Sequence, residues 1–447
     1  MSSQEKTVSG YLPDEKPTLG RTLLFGLQQI LVMFPATVTV AMLTGFHVST
    51  TIFASGLATL CFLFVTKGKL PLYYGSSFSY ISAIVGMTGA SYGVVASDDL
   101  IGRAQFGIIA SGLVSIAAGI IIDRFGQDKI DKILPATITG AIAMVIGISL
   151  AGSAMTSAFA VDASGTNTTS AIIAVVTLVS TVAFSVFLKK GILGQVPILL
   201  GILVGYLLSL LLNYTGAGDI GLQTKLATLF QGNLVTAPHF TLPVPNLAAV
   251  IAIMPIAIAT IPESTAHLFQ LDIYVNDLAK KKGKPKYDIE KRLGINLIGD
   301  GLGDMISAAI GGPAGTNYGE NLSTMAITHN FSVWVLGAAA IITMIISFFS
   351  PLTNFVNSIP GPVINGACIY LFGVIGAQGI AILINKGVDM FDAKNLAIIA
   401  VILIIGLGGS YGFSGSNIPI GSFSLPAIAT ASVAGIVLNL VLSIKKT

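Results

Sequence analysis

The chain has 447 residues, 53% of them apolar and only 10% charged, and its mean hydropathy is +0.85. That composition excludes a water-soluble globular protein and implies a polytopic membrane protein. The charged minority, net +3, is gathered into short stretches between long apolar runs.

The N-terminal stretch, residues 1–19, is polar and has no apolar core with a cleavage site, so no signal peptide is expected to be removed and the first span directs insertion. Reading apolar runs of about 20 residues as spans, the first seven fall near 20–44, 49–66, 71–93, 103–122, 133–153, 170–188 and 194–213. Seven more fall near 246–268, 293–310, 314–330, 332–350, 360–384, 395–410 and 425–443. The predicted fold class is therefore an all-α polytopic membrane protein of fourteen transmembrane segments.

An even span count puts both termini on one side of the membrane. That side then carries Lys6, Lys16, Arg21, Lys67, Lys69, Arg124, Lys129, Lys132, Lys189, Lys190, the Lys280–Arg292 cluster, Lys386, Lys394, Lys445 and Lys446, while Arg103 and Lys225 fall on the other. The bias places both termini in the cytoplasm. The basic run at Lys280–Lys286 reads as a solvated cytoplasmic loop near anionic headgroups, not as a nucleic-acid site. Cys61 and Cys368 fall within spans and are expected to be free thiols.

Four pairs of segments recur in the same order. Pro35 of the first span aligns with Pro262 of the eighth, which sets Ala36 on Glu263; Gly75–Ser79 of the third resembles Gly315–Gly319 of the tenth, which sets Phe78 on Tyr318. The segments starting at Gly140 and Val204 match those starting at Gly366 and Ala434. Seven spans is an odd number, so the second copy enters from the opposite face and the architecture is a 7+7 inverted repeat. Inverted repeats with Gly/Pro-broken segments at matching positions point to a transporter with a site at mid-membrane. The broken stretches are expected to pair as short antiparallel strands, each leading into a half-helix, because unpaired backbone is costly in lipid.

Two acids, Glu263 and Glu320, lie in this otherwise apolar sequence and mark the candidate site. His267 follows Glu263 by four residues, one turn along the same face, within reach of the acid or of a substrate. Desolvation favours the neutral form of an acid, so Glu263 can take up a proton from the side richer in protons and lose it when the cytoplasmic path opens. Asp300 and Asp304 sit one turn apart in the ninth span, suited either to an ion path or to a polar surface. His47 and His239 read as solvated residues without matching partners, and His329 as a residue that interacts with the C-terminal carbonyls of the tenth half-helix. No metal-ligand spacing, P-loop or nucleophile motif supports an ATP-driven pump or a membrane enzyme.

The segment Asn317–Thr328, with Leu72–Ile81, Pro262–Leu268 and Ile420–Phe423, resembles the nucleobase/ascorbate transporter family and within it the bacterial uracil permeases. The resemblance runs from about residue 18 to residue 443. It implies a cytoplasmic tail (1–19), a core domain (20–130 and 246–350) and a gate domain (131–245 and 351–447), with substrate held between the two domains. It also implies proton-coupled uptake of uracil, no cofactor beyond the coupling proton, and a homodimer through the gate domain.

Uracil offers two N–H donors, two carbonyl acceptors and a flat face, so its site needs acceptors, donors and an apolar wall. Glu263 and Glu320 can accept, the backbone N–H groups of Gly319 and Glu320 can donate from a helix N-terminus, and Phe78 can stack; Ala36 and Tyr318 complete the expected binding set.

Several positions depart from the family. Gln28-Gln29 stands where relatives commonly carry Gln-His; Pro35 replaces a glycine, Gly315 an asparagine and Asn317 a threonine; Phe372 stands where uracil permeases often have tyrosine. Ser323 occupies the place where xanthine-type members typically carry glycine, which weighs against the alternative of a xanthine or urate symporter. A third reading, an anion exchanger or channel on the same inverted-repeat architecture, is opposed by the two buried acids.

Overall fold

In the computed structural model, the described residues are 10–126, 134–159, 161–162, 165–166, 168–188, 196–215, 229–230, 232–413, 416–420 and 423–444. Outside them lie Lys6, Lys129, Lys132, Lys189, Lys190, Lys225, Lys445 and Lys446 of the charge pattern, and Gly421 and Ser422 of the Ile420–Phe423 motif.

Helices α1 (Leu19–Thr44) and α2 (Val48–Val65) lead to strand β1 (Tyr74–Ser76), a 3-10 turn (Phe78–Tyr80) and the half-helix α3 (Ile81–Thr88). Then come α4 (Asp98–Phe125), α5 (Ala136–Ala158), the paired strands β2 (Val161–Asp162) and β3 (Gly165–Thr166), α6 (Thr168–Phe187) and α7 (Pro197–Tyr214). Helix α8 (Leu247–Ile253) continues through a 3-10 turn into α9 (Ala257–Lys281), followed by α10 (Leu293–Ala309), β4 (Gly315–Asn317), the half-helix α11 (Gly319–Thr328) and α12 (Val333–Ile346). The chain closes with α13 (Ser350–Ser358), α14 (Gly361–Asn385), α15 (Ala393–Gly412), the hairpin β5 (Asn417–Ile420) and β6 (Phe423–Pro426), and α16 (Ala427–Ile444).

Ten helices among the described residues are long and apolar enough to cross a membrane, with shorter apolar helices at Phe78–Thr88 and Val333–Ile346. The protein is thus a mostly helical, multi-pass membrane protein. Helix α1 illustrates how sequence sets orientation. Leu19, Leu23, Leu27 and Leu31, spaced one turn apart, are exposed along the side suited to lipid, while Thr22, Gly26, Gln29 and Met33 are buried. The helix ends where Gly45 takes a left-handed conformation (φ 76°) and donates its N–H to Ala41 O at 3.0 Å.

Two packing groups stand out. Helices α1, α2, α4, α10 and α12 pack on one another, and α5, α6, α7, α14, α15 and α16 form a second set. Close contacts in each set run through paired glycines, which let backbones approach where no hydrophobic force distinguishes helix from lipid. A Cβ on Gly112 of α4 would lie 2.5 Å from Gly301 O of α10, and one on Gly147 of α5 would lie 2.3 Å from Gly376 N of α14.

The structure corrects the sequence reading in three places. Strand pairing is not confined to the broken third and tenth segments, since β2–β3 and β5–β6 form two more short hairpins. Helix α9 runs on to Lys281, so Lys280 and Lys281 belong to its last turn and not to a loop. Isoleucine, leucine and valine recur among its polar residues there and keep one face apolar: Leu271, Val275 and Leu278 are buried. His329 closes α11 as the sequence led us to expect, in the left-handed region (φ 51°) with its backbone N–H bonded to the C-terminal carbonyl of Met325. His47 and His239 do have partners, their rings packed against one another at a tilt of 42° and set against Asp98.

The N-terminal segment is pinned to the helix ends. Leu12 is fully buried, Tyr11 bridges to Asn330, Lys282 pairs with Glu15 at 2.5 Å, and Ser332 donates to Glu15 O at 2.6 Å.

Candidate functional site

The candidate site is built on the buried pairing of β1 and β4. They run antiparallel with Tyr74 opposite Asn317, Gly75 opposite Thr316 and Ser76 opposite Gly315. Two further bonds extend the pairing, Ser77 N–H to Ala314 O (3.0 Å) and Tyr318 N–H to Tyr73 O (2.9 Å). Every strand residue is buried, so the pairing satisfies backbone groups that lipid would leave unbonded. Glycine is required on both strands: a Cβ at Gly75 would fall 2.4 Å from the Tyr318 ring, and one at Gly315 would fall 2.4 Å from the Tyr74 ring.

Those two tyrosines are fixed in turn. Tyr318 shares a hydrogen bond with Thr37 Oγ1 and donates to Ser76 O, both at 3.0 Å. Tyr74 donates to Asp304 Oδ1 at 2.5 Å, and the same oxygen accepts the Gly315 N–H at 2.8 Å. Asp304 is therefore buried and committed to holding the crossing, and it is not part of a polar surface. Asp300 is buried beside Ser264, with its Oδ1 unbonded.

Each strand opens a helix aimed away from the crossing. Phe78 begins the 3-10 turn ahead of α3, with Ser77 as N-cap accepting from Ser79 N–H at 3.3 Å. Gly319 and Glu320 form the first turn of α11, with Tyr318 at the N-cap position. Glu320 lies inside the protein, where its carboxyl accepts from its own backbone N–H, yet it keeps surface open to a water-sized molecule.

Glu263, one residue past Pro262 within the continuous helix α9, is half-buried, within hydrogen-bonding reach of Ser79 and close enough to Glu320 for the two charges to interact. His267, also half-buried, lies against the Asn317 backbone and behind Gly319, where a Cβ would meet its Nε2 at 2.8 Å; its Nδ1 is unbonded. The crossing thus collects Glu263, His267, Phe78, Gly319 and Glu320. Ala36 and Tyr318 belong to the packed layer beneath, both at most 8% exposed. Phe78 also reaches Phe372 on α14, with ring centroids 6.4 Å apart.

Sequence reasoning missed the polar frame around the site. Asn321 of α11 donates to the Gln29 side chain (2.7 Å) and to Gln29 O (3.0 Å), tying α11 to α1 at the position where Gln-His was expected. Asn296, Ser264 and Asn317 form a second buried network, led by the 2.7 Å bond from Asn296 Nδ2 to Ser264 Oγ. These are common polar residues in apolar runs, and only their burial signals a role. A separate apolar cavity of about 80 Å³ has neither carboxylate in its lining, to which Phe34, Pro35, Leu199, Tyr206, Phe355 and Ile364 contribute.

Comparison with known proteins settles the family. The family model Xan_ur_permease, described as Permease family, matches residues 20–415. The chain belongs to this permease family. It is a membrane transport protein and not an enzyme. The permease is 36% identical to a uracil permease of Bacillus caldolyticus over 96% of its own length and 93% of the relative's. It is 35% identical to a uracil permease of Escherichia coli (strain K12), over 96% and 92%. Its fold is similar to that of the murine Slc26a9 anion transporter in the inward-facing state: TM-score 0.68 at 13% identity, over 97% of the permease and 70% of that chain.

Proposed function

We propose that this permease imports uracil across the cytoplasmic membrane as a proton-coupled symporter working by alternating access. The observation that carries the reading is the convergence of Glu263 and Glu320 with the 3-10 turn that Phe78 begins and the N-terminal turn of α11 at one strand crossing. That set matches the donors, acceptors and flat face of uracil. The names of the relatives, uracil permeases, agree with it.

In this reading Glu320 and Glu263 accept from the ring N–H groups, the Gly319 and Glu320 N–H groups donate to a carbonyl, and Phe78 forms the wall. Tyr318 and Ala36 back the site. Glu263, with His267 one turn on, carries the coupled proton, and no cofactor is required.

The wider architecture follows the same proposal. Ten long helices, the two broken segments, α10 and α12 make fourteen spans as a 7+7 inverted repeat. The packing set around α4 and α10 is the core domain and the set around α5 and α14 the gate. Both termini face the cytoplasm, and gate domains pair in a homodimer.

Uptake of labelled substrates into proteoliposomes tests the reading. Uracil accumulation under an inward proton gradient supports it. Preference for xanthine or urate moves the substrate to the purines, and chloride or bicarbonate exchange without uracil uptake replaces it with an anion exchanger.

A further inference from the structure

His47, Asp98 and His239 come from three separate stretches of chain and meet at one point. His47 is the N-cap residue of α2, Asp98 is the first residue of α4, and His239 lies 141 residues further on, in the segment that leads to α8. His239 Nε2 is 2.9 Å from Asp98 Oδ2, His47 Nε2 is 3.7 Å from Asp98 Oδ1, and all three candidate ligand atoms lie within 4.8 Å of one another. The imidazole rings are 4.3 Å apart. His47 Nε2 is buried without a hydrogen bond, turned toward a carboxylate it does not quite reach.

The scaffold under these groups is rigid. Thr50 Oγ1 donates to His239 O at 2.6 Å, Thr241 Oγ1 donates to Gln105 Oε1 at 2.9 Å, Gln105 Nε2 donates to Thr241 O at 3.0 Å, and Val244 N–H bonds Gly102 O at 2.8 Å. The segment carrying His239 is thereby fastened along α4, the helix that begins with Asp98. The neighbouring Arg103 is paired with Asp99 at 2.7 Å, so its charge is already offset.

We propose that His47, Asp98 and His239 form a binding site for a divalent transition-metal ion of the zinc class. Two imidazole nitrogens and one carboxylate oxygen are a ligand set such ions favour, with water in the fourth position. Zinc bonds of about 2.0–2.1 Å in a tetrahedron put ligand atoms about 3.3 Å apart. The observed 2.9 Å runs to Oδ2 of Asp98 and the 3.7 Å to Oδ1, and all candidate ligand atoms lie within 4.8 Å of one another, so side-chain rotation that brings one carboxylate oxygen between the two imidazoles closes the set. The side chains of Asp98 and His239 are more than half exposed, which leaves room for the water and a route in for the metal. None of the three belongs to the Glu263–Glu320 site, and the inference does not depend on the transported substrate.

The test is calorimetric titration of purified, chelator-stripped full-length protein with ZnCl2, with MgCl2 as control. Zinc should give a saturable isotherm of one ion per chain and magnesium, which prefers oxygen ligands, none. His47→Ala, His239→Ala and Asp98→Asn should each weaken zinc binding by about ten-fold or more, a loss that even outer-shell changes at metal sites can reach. Each variant is checked for an unchanged elution profile and metal-free melting temperature. Cobalt(II), titrated into wild type, should give the visible absorption of a tetrahedral site. Absence of a saturable zinc isotherm, or zinc binding that survives His239→Ala in folded protein, would overturn the proposal.

Discussion

The ring of Phe78 meets that of Phe372 edge to face, with centroids 6.4 Å apart and planes at 73°. This contact joins the first turn after β1 to the middle of α14, so the proposed stacking wall is itself held from the other packing group. Phe372 is 2% exposed, whereas Phe78 is only half-buried. Phe78→Ala is therefore expected to weaken uracil binding by about 1–3 kcal/mol, as loss of a stacking aromatic does, and Phe372→Ala by less. Binding calorimetry on both variants checks the order; equal or reversed losses would move the ring wall to α14.

Glu320→Gln should abolish or severely weaken uracil binding in a folded protein. The carboxylate can only accept from a substrate N–H, while the amide can present a donor to it, and a mismatched buried polar pair costs about 1–3 kcal/mol or more. Calorimetry beside a thermal melt separates lost binding from lost fold. Wild-type affinity for uracil would sink the role given to Glu320.

Gly315→Ala should destabilise the permease and remove binding together. The added methyl would sit 2.4 Å from the Tyr74 ring, and Tyr74 cannot yield without giving up its bond to Asp304. Overpacking of this kind costs about 1–3 kcal/mol, read as a lower melting temperature. A variant that melts and binds like wild type would mean that the crossing is looser than the geometry implies.

Lys282→Met should loosen the N-terminal segment without touching transport chemistry. Lys282 and Glu15 are 18% and 27% exposed, and the lysine also donates to Gly10 O at 2.9 Å. Removing the lysine takes the counter-charge from a partly buried carboxylate that keeps only the Leu12 N–H bond (2.9 Å), a cost of about 1–3 kcal/mol. Faster proteolysis near residue 15 with uracil binding unchanged is the expected result; unchanged proteolysis would show that Leu12 and Tyr11 suffice as anchors.

Much of this molecule was legible in its sequence because a membrane leaves few options. Apolar run length fixed helices such as α1 and α2 to within a residue, and the recurrence of Gly75–Ser79 in Gly315–Gly319 foretold the β1–β4 crossing. Glu263 and Glu320 stood out because acids are rare in hydrocarbon. What stayed hidden depends on contacts between distant segments. Nothing local in Asp304 separates an ion-path acid from one committed to Tyr74 and Gly315, and nothing near His47 announces His239 or Asp98. The Gln29–Asn321 tie was likewise invisible, since an amide in an apolar run takes its meaning from the partner it finds.

Uptake is expected to be driven by an inward proton gradient, independent of sodium, and Glu263→Gln should uncouple it. Glu263 lies within hydrogen-bonding reach of Ser79 and interacts with the charge of Glu320, so its protonation state is tied to the groups proposed to hold the substrate. Two neighbouring carboxylates are unfavourable when both are charged, and a proton taken up with substrate relieves that repulsion. An amide at position 263 imitates the protonated acid permanently. The variant should then still exchange labelled uracil across the membrane in counterflow, while accumulation against a gradient fails. Proteoliposomes with imposed pH or sodium gradients measure both. Sodium-driven uptake, or a Glu263→Gln protein that still concentrates uracil under a pH gradient, would overturn the proton assignment and leave family membership untouched.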